Sequence, residues 1–470
     1  MAGCATGDYE VDRKRHLDAA AKGMPEEIGR IDASRGVLHQ LRDERLRELL
    51  AHATRHSAWH RERLAGLDLD AITGDDLGAI PSMTKTDLME NWDRIVCDPR
   101  LCLAEAEGHL ERVAREGPAY LLDDYHALAT GGSTGQRAVA VWDFEGFRVL
   151  GSRLSAWGLW LGAHLDMGLE PPLRIAGVGS SSPLHVGGAV SRCFANPGTM
   201  NSTTLPASLP IDRIVEALEE IQPQVLIGYA SLLHEIAKRK LAGALDIEPK
   251  AISQSSEPFL PEAWAAVSEA FPSAVIRDMW GATELGMVAS SYPGIDGLVV
   301  SEDLVILEPV DAAGRPVPIG QPADKVLATN LINRVLPLFR YEISDQLTML
   351  PPAEACPWRG ARISAIHGRL DDVFVYAGDR RVHPHAFRSV FTRYGEISEY
   401  QVRQNEWGAS ITAVMDSDAN LAAIESDLVT ALTEAGLTEP MVDVERTERI
   451  TRHAESQKLK RFVPLSRPAV

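Results

Sequence analysis

Between residues 210 and 282 the periodicity of apolar residues switches back and forth, and this stretch narrows the accessible folds more than any other. Ile211, Ile214, Val215, Leu218 and Ile221 recur at helical spacing and stop before Pro223. Val225-Leu226-Ile227 is a short apolar run of the length and branching expected of a buried strand, and Gly228-Tyr229-Ala230-Ser231 turns into a second helix carrying Leu232, Leu233 and Ile236. Ala251-Ile252 ends in a polar turn, Ser253-Gln254-Ser255-Ser256-Glu257-Pro258, before a helix from Pro261 to Phe271 and a strand at Ala274-Val275-Ile276. Strand, helix and strand at this spacing imply a parallel α/β sheet, with ligands expected beyond the carboxyl ends of the strands. The polar segments after Ile252 and Ile276 lie at such ends.

The rest of the chain divides around this core. Leu38, Leu41, Leu46, Leu49, Leu50 and Ala53 mark an amphipathic helix, and Pro81 to Leu88 reads as a loop ending in a helix start capped by Thr84 or Thr86. Asp143 can cap a long helix through Phe147, Leu150, Leu154 and Trp157. Past residue 295 the segments become strand-like, as at Leu304–Leu307 and Lys325–Thr329. A boundary is expected at Gly368-Arg369-Leu370-Asp371-Asp372, followed by strands near Gln401-Val402 and Ile411–Val414, a helix from Asn420 to Ala435 and a strand at Met441–Val444. About a hundred residues of α+β texture suffice for a separately folding unit.

With 470 residues, two or more domains are expected. The 47 basic against 66 acidic residues give a net charge of −19, which argues against a nucleic-acid surface or an anionic membrane as partner. Any polyphosphate site must be a local exception to that field. Cys4, Cys97, Cys102, Cys193 and Cys356 contain no CxxC pair, so neither a disulfide framework nor a zinc ribbon is suggested. The acidic N-terminus lacks the apolar core of a signal peptide, and a cytoplasmic location is expected.

Thr130-Gly131-Gly132-Ser133-Thr134-Gly135 packs three glycines and three hydroxyl residues between two extended stretches. Glycines let backbone N–H groups converge, and the hydroxyls can donate to anionic oxygens gathered there. The loop lacks the Gly-Lys-Ser/Thr of a P-loop NTPase and enters a strand rather than a helix. Taken alone it is equally a hairpin turn or a polyphosphate cradle.

Five further stretches follow it in order. They are Pro183-Leu184-His185-Val186-Gly187-Gly188, Trp280-Gly281-Ala282-Thr283-Glu284, Pro337 to Asp345, His367 to Asp372 with Gly378, Arg381 and Pro384, and Ser456-Gln457-Lys458-Leu459-Lys460-Arg461. Together with the glycine loop they resemble the adenylate-forming superfamily of acyl-CoA synthetases, nonribosomal adenylation domains and luciferases. The opening helices through Leu88 are similar to the phenylacetate–CoA ligase branch. The resemblance implies an α/β fold with a large N-terminal domain of α/β subdomains, residues 1–368, and a small α+β lid, residues 369–470.

It also implies a reaction. The carboxylate of an aromatic or compact acid attacks the α-phosphorus of ATP, releasing pyrophosphate, and the acyl adenylate passes to CoA. Transfer to the phosphopantetheine thiol of an acyl carrier protein, to an amine or to another nucleophile is the alternative, and a non-catalytic nucleotide-binding relative is a further one. By the same resemblance the glycine loop holds the β- and γ-phosphates, Thr283 the α-phosphate, and Glu284 ligates Mg²⁺. Asp345 and Arg369 hold the ribose. Ser256, Glu257 and Pro258 contact adenine, and Trp280-Gly281 line the nucleotide or acyl site. His185 belongs to the acyl pocket, Lys458 bridges the reacting oxygens, and Asp371 is the hinge. Each has a plainer reading: Glu284 as a helix-cap carboxylate, Lys458 as a surface lysine, His185 as a half-buried core histidine, Trp280 as core. The chain departs from the family pattern at Gln136, where lysine is usual, at Glu342-Ile343-Ser344 before the aspartate, and at Gln457, where glycine is expected before the lysine.

Overall fold

The computed structural model describes residues 9–130, 138–180, 182–196, 198–366, 368–369, 372–378, 380–382, 384–391, 393–394, 396–415, 419–452 and 458–465. Its centre is a nine-stranded sheet among the described residues. Met200–Pro206, Leu173–Gly179, Val225–Gly228, Ala251–Ser255 and Val275–Ala282 lie side by side in that order and parallel. Helices Ile211–Ile221, Ala230–Leu241 and Pro261–Ala270 connect strands of this half, as the alternating periodicity predicts. Leu218, Leu226, Ile236, Ile252 and Val267 are fully buried where these layers meet. Truncating any such aliphatic side chain to alanine costs about 2–5 kcal/mol.

At Val275–Ala282 the sheet changes sense. Gly286–Ser291, Leu298–Val300, Arg362–Ile363 and Met349–Leu350 continue it antiparallel. One expectation needs correction here: Ser253, Gln254 and Ser255 are strand, not turn, and pair with Arg277, Asp278 and Met279. Their polar side chains hide the strand from a pattern of apolar residues. The Gln254 amide instead donates to the Asp278 carboxylate next door.

The helix Tyr9–Ile31 has no strong apolar stripe and was not expected from the sequence. It docks on Phe144–His164 through charge: buried Arg153 donates to Glu27 at 2.9 Å and to Asp303 at 2.9 and 2.7 Å. Burial alone would raise the Asp303 carboxyl, but Arg153 outweighs it and holds it below the usual range. Asp143 caps Phe144–His164 as expected, accepting from Gly146 N–H at 2.7 Å. Its second oxygen ties down Arg334 N–H at 2.8 Å and Val335 N–H at 3.2 Å. Of the two candidate caps at residues 84 and 86, Thr84 forms a capping box with Asp87.

Toward the C-terminus, Met441–Arg446, Gly408–Met415, Ile397–Gln404 and Phe462–Val463 make a four-stranded sheet among the described residues. Helices His385–Phe391 and Leu421–Glu434 cover it, and Asn420 caps the second. Phe374, Phe387, Val402, Ile411, Leu428 and Phe462 form its apolar core, separate from those of the large sheet. The strand Gly368–Arg369 pairs with Asp345–Gln346, so a division drawn between 368 and 369 runs through a paired strand. No described helix is long and apolar enough to cross a membrane.

Candidate active site

A cavity of ≈ 580 Å³ opens where Ala251–Ser255 and Val275–Ala282 end, at the carboxyl edge of the parallel strands. Thr130, Ser256, Glu257, Pro258, Trp280, Gly281, Thr283, Glu284, Asp345 and Lys458 all line it. They come from segments more than three hundred residues apart. Gly131 to Gly135 and Asp371 lie outside the described residues. The backbone of Arg369 sits directly opposite Asp345 in the short antiparallel ladder.

Thr283 and Glu284 stand on the tight turn between Val275–Ala282 and Gly286–Ser291. The turn explains the motif's glycine. A Cβ at Gly281 would lie 2.3 Å from the Gly286 carbonyl oxygen, so no other residue fits without moving backbone. Three distant groups hold the turn. Trp142 Nε1 donates to the Thr283 carbonyl at 3.0 Å, Asn330 Nδ2 to the Glu284 carbonyl at 2.9 Å, and the Tyr341 hydroxyl to Glu284 Oε1 at 3.1 Å. Trp142 lies on the strand that follows the glycine loop, so the loop's exit and the carboxylate turn are mechanically coupled.

The loop's two flanks, His126–Ala129 and Val139–Trp142, form an antiparallel hairpin. Thr130 closes its mouth: its N–H donates to Ala138 O and its Oγ1 accepts from Ala138 N–H, both at 2.9 Å. Lys85 Nζ donates to the same Oγ1 at 3.3 Å and lines the cavity. Sequence reading missed this lysine, because nothing in the order of residues links position 85 to 130. The adjacent Thr84 cap was the available signal.

His185 falls outside the cavity lining, where its neighbour Val186 is found. Its Nδ1 meets the Ala129 carbonyl at 3.2 Å, and Ala129 N–H donates to Leu184 O at 2.8 Å. The Pro-Leu-His segment thus braces the strand entering the glycine loop. Gly188 is sterically required as well, a Cβ there lying 2.4 Å from Ser182 O.

Glu257 has a role that the turn reading did not show. Its Oε1 accepts from Leu459 N–H at 3.0 Å and its Oε2 from Ser231 N–H at 3.0 Å. Arg452 stands 3.9 Å from Glu257 and donates to Glu399 at 2.6 Å and to Ser231 Oγ at 3.2 Å. One carboxylate therefore fastens the residue after Lys458 to the large sheet's helical layer. From the other side Gln401 Nε2 donates to Lys460 O at 2.8 Å and Val402 N–H to Arg461 O at 2.7 Å.

The cavity is a local exception in an acidic chain. Lys85, Lys325, Arg388, Lys458, Lys460 and Arg461 face as many carboxylates there, although the whole carries −19. Lys325 pairs with Glu342 at 2.6 Å, so the glutamate that departs from the family pattern is held by an ion pair. Burial pushes the Asp278 carboxyl up to about 6, against the Gln254 hydrogen bond.

No protein-family model matches the chain. A phenylacetate–coenzyme A ligase of Pseudomonas putida is 26% identical over 368 residues, covering 75% of this chain and 74% of that protein. One from Aromatoleum evansii is 23% identical over 365 residues, with 74% and 73% covered. A 2-hydroxyisobutyryl-CoA ligase, solved in the postadenylation state with 2-HIB-AMP, has the same fold. Its TM-score is 0.72 at 18% identity, over 93% of this chain and 91% of that one. In sequence and in fold the chain is thus similar to acid–CoA ligases of the adenylate-forming superfamily.

Proposed function

We propose that the protein is an ATP-dependent acid–thiol ligase: it activates a compact carboxylic acid, such as an aromatic one, to an acyl adenylate and transfers the acyl group to CoA. The observation that carries this is the convergence on one cavity of Thr130, Ser256–Pro258, Trp280–Glu284, Asp345 and Lys458. The ligases to which the chain is similar support both half-reactions. A cavity of ≈ 580 Å³ that must hold nucleotide and acyl group together favours a small acid.

The first step brings an anionic carboxylate to a polyphosphate, so charge neutralisation and alignment dominate the barrier. Lys458 supplies a cation where charge grows between the attacking and phosphoryl oxygens, and Lys85 supplies a second beside Thr130. Asp345 accepts from the ribose hydroxyls, opposite Arg369. The Glu284 carboxylate and the Thr283 hydroxyl offer hard oxygen donors of the kind Mg²⁺ prefers, and Glu284 would hold that ion. When bound, Mg²⁺ neutralises phosphate charge. Residues 1–368 form the catalytic body and 369–470 the lid, with Asp371 as the hinge that lets the lid reorient for thiol entry.

Exchange of labelled pyrophosphate into ATP, run over a panel of aromatic and aliphatic acids, tests the reading. At least one acid should support exchange, and Lys458→Ala should suppress it by two orders of magnitude or more. No exchange with any acid would sink the activation reading. Adenylate formation that ignores CoA would shift the acceptor to a carrier-protein thiol or an amine.

A further inference from the structure

Behind the cavity, three buried side chains from distant parts of the chain converge without an assigned purpose. They are His16 on the helix Tyr9–Ile31, His126 at the start of the strand entering the glycine loop, and Cys193 at the end of the helix Val186–Cys193. Their ligand atoms all lie within 4.8 Å of one another. Both ring nitrogens of His16 and Nε2 of His126 are buried with no hydrogen-bond partner among the described residues. Buried polar atoms are nearly always satisfied, and one nitrogen from each histidine, gathered with a thiol, leaves a place for an occupant. The Tyr120 hydroxyl stands 3.7 Å from Cys193 Sγ. Rings of Tyr120, Phe144 and Phe147 pack around the two histidines and keep the place dry.

We propose that His16, His126 and Cys193 form a structural Zn²⁺ site, with the Tyr120 hydroxyl as fourth ligand. Two imidazoles and a thiolate are the donor set of a borderline-soft, four-coordinate ion, whereas Mg²⁺ and Ca²⁺ require oxygen ligands. Tetrahedral Zn²⁺ at bond lengths of about 2.0–2.3 Å holds its ligand atoms roughly 3.5 Å apart. The present spacing therefore closes onto an ion with side-chain shifts on the order of 1 Å. On binding, the Cys193 S–H bond breaks, its proton goes to solvent, and the sulfur lone pair forms the metal bond. The ion would staple the first helix to the two elements that brace the glycine loop. It would add a second anchor to the one that Arg153 makes with Glu27 and Asp303.

The test uses the purified full-length chain and metal ions alone. Zinc content after dialysis against a weak chelator should approach one equivalent per chain. After removal with a stronger chelator, Co²⁺ should give tetrahedral d–d bands and a thiolate charge-transfer band, both displaced by Zn²⁺. Cys193→Ser should lose the charge-transfer band. A wild-type protein that retains no zinc and gives no thiolate band overturns the site, as does a band that persists in Cys193→Ser. The wild-type measurements decide even if the variant fails to fold. None of these readouts depends on catalysis, and Mg²⁺ bound through oxygens near Glu284 gives no thiolate band.

Discussion

Glu257→Ala removes a carboxylate that joins the Lys458 segment to the body. Its two oxygens each accept a backbone N–H at 3.0 Å, one from Leu459 and one from Ser231, and the side chain is only 7% exposed. Hydrogen bonds to a charged acceptor contribute about 1.5–3 kcal/mol each. Of these two bonds only the one from Leu459 spans the two parts, and Arg452, at 3.9 Å from Glu257, adds little direct pairing. The closed arrangement should therefore weaken by roughly 2–3 kcal/mol, or about 30- to 150-fold in its population. Acid-dependent pyrophosphate exchange, which needs Lys458 in the cavity, should fall by one to two orders of magnitude. Thioester formation from supplied acyl adenylate, for which the proposed lid reorients, should change far less. Glu257→Gln keeps one acceptor oxygen and should fall in between. If both half-reactions drop together, or neither does, the carboxylate is not a clamp on the lysine and the reasoning is wrong.

Other consequences are open to direct measurement. Gly281→Ala drives a Cβ to within 2.3 Å of the Gly286 oxygen, so thermal unfolding should shift down and exchange should be lost; a variant of wild-type activity would refute the steric account of the motif. Arg153→Met removes the cation that Glu27 and Asp303 share, leaving them Arg30 and Arg45, and should cost about 3 kcal/mol in urea unfolding, with less than 1 kcal/mol counting against the anchoring of the first helix. Asp278 titrates near 6 in the fold against 3.8 ordinarily, so between those values the folded state binds more protons than the unfolded. Stability should then decline as pH rises from about 4 to about 6 and level off above, and Asp278→Asn should flatten that slope.

Much of the architecture was legible in local patterns because the forces behind them are local. Helical stripes at Ile211–Ile221 and a β-branched run at Val225–Ile227 report burial through spacing alone. Caps at Thr84 and Asp143 announce themselves because short oxygen side chains satisfy the first free N–H groups of a helix. Where burial is carried by polar groups the pattern fails. Ser253-Gln254-Ser255 is a central strand without an apolar face, and Tyr9–Ile31 is held through its own Glu27 by Arg153, which Asp303 also pairs, both far away in sequence. His185 was read into the acyl pocket, and only its bond to Ala129 O shows it bracing the glycine loop's entry strand.

The sequence by itself determined the parallel α/β core, the order of the six motifs and the residue types that a polyphosphate and a carboxylate require. These follow from periodicity and from the chemistry of single side chains. The tertiary structure decided which residues share one cavity: Lys85 beside Thr130, Tyr341 on Glu284, Glu257 on the residue after Lys458, and His185 one step outside. Such pairings join segments dozens to hundreds of residues apart, and no local preference encodes them. They exist only once sheet register and packing have brought the segments within hydrogen-bonding distance.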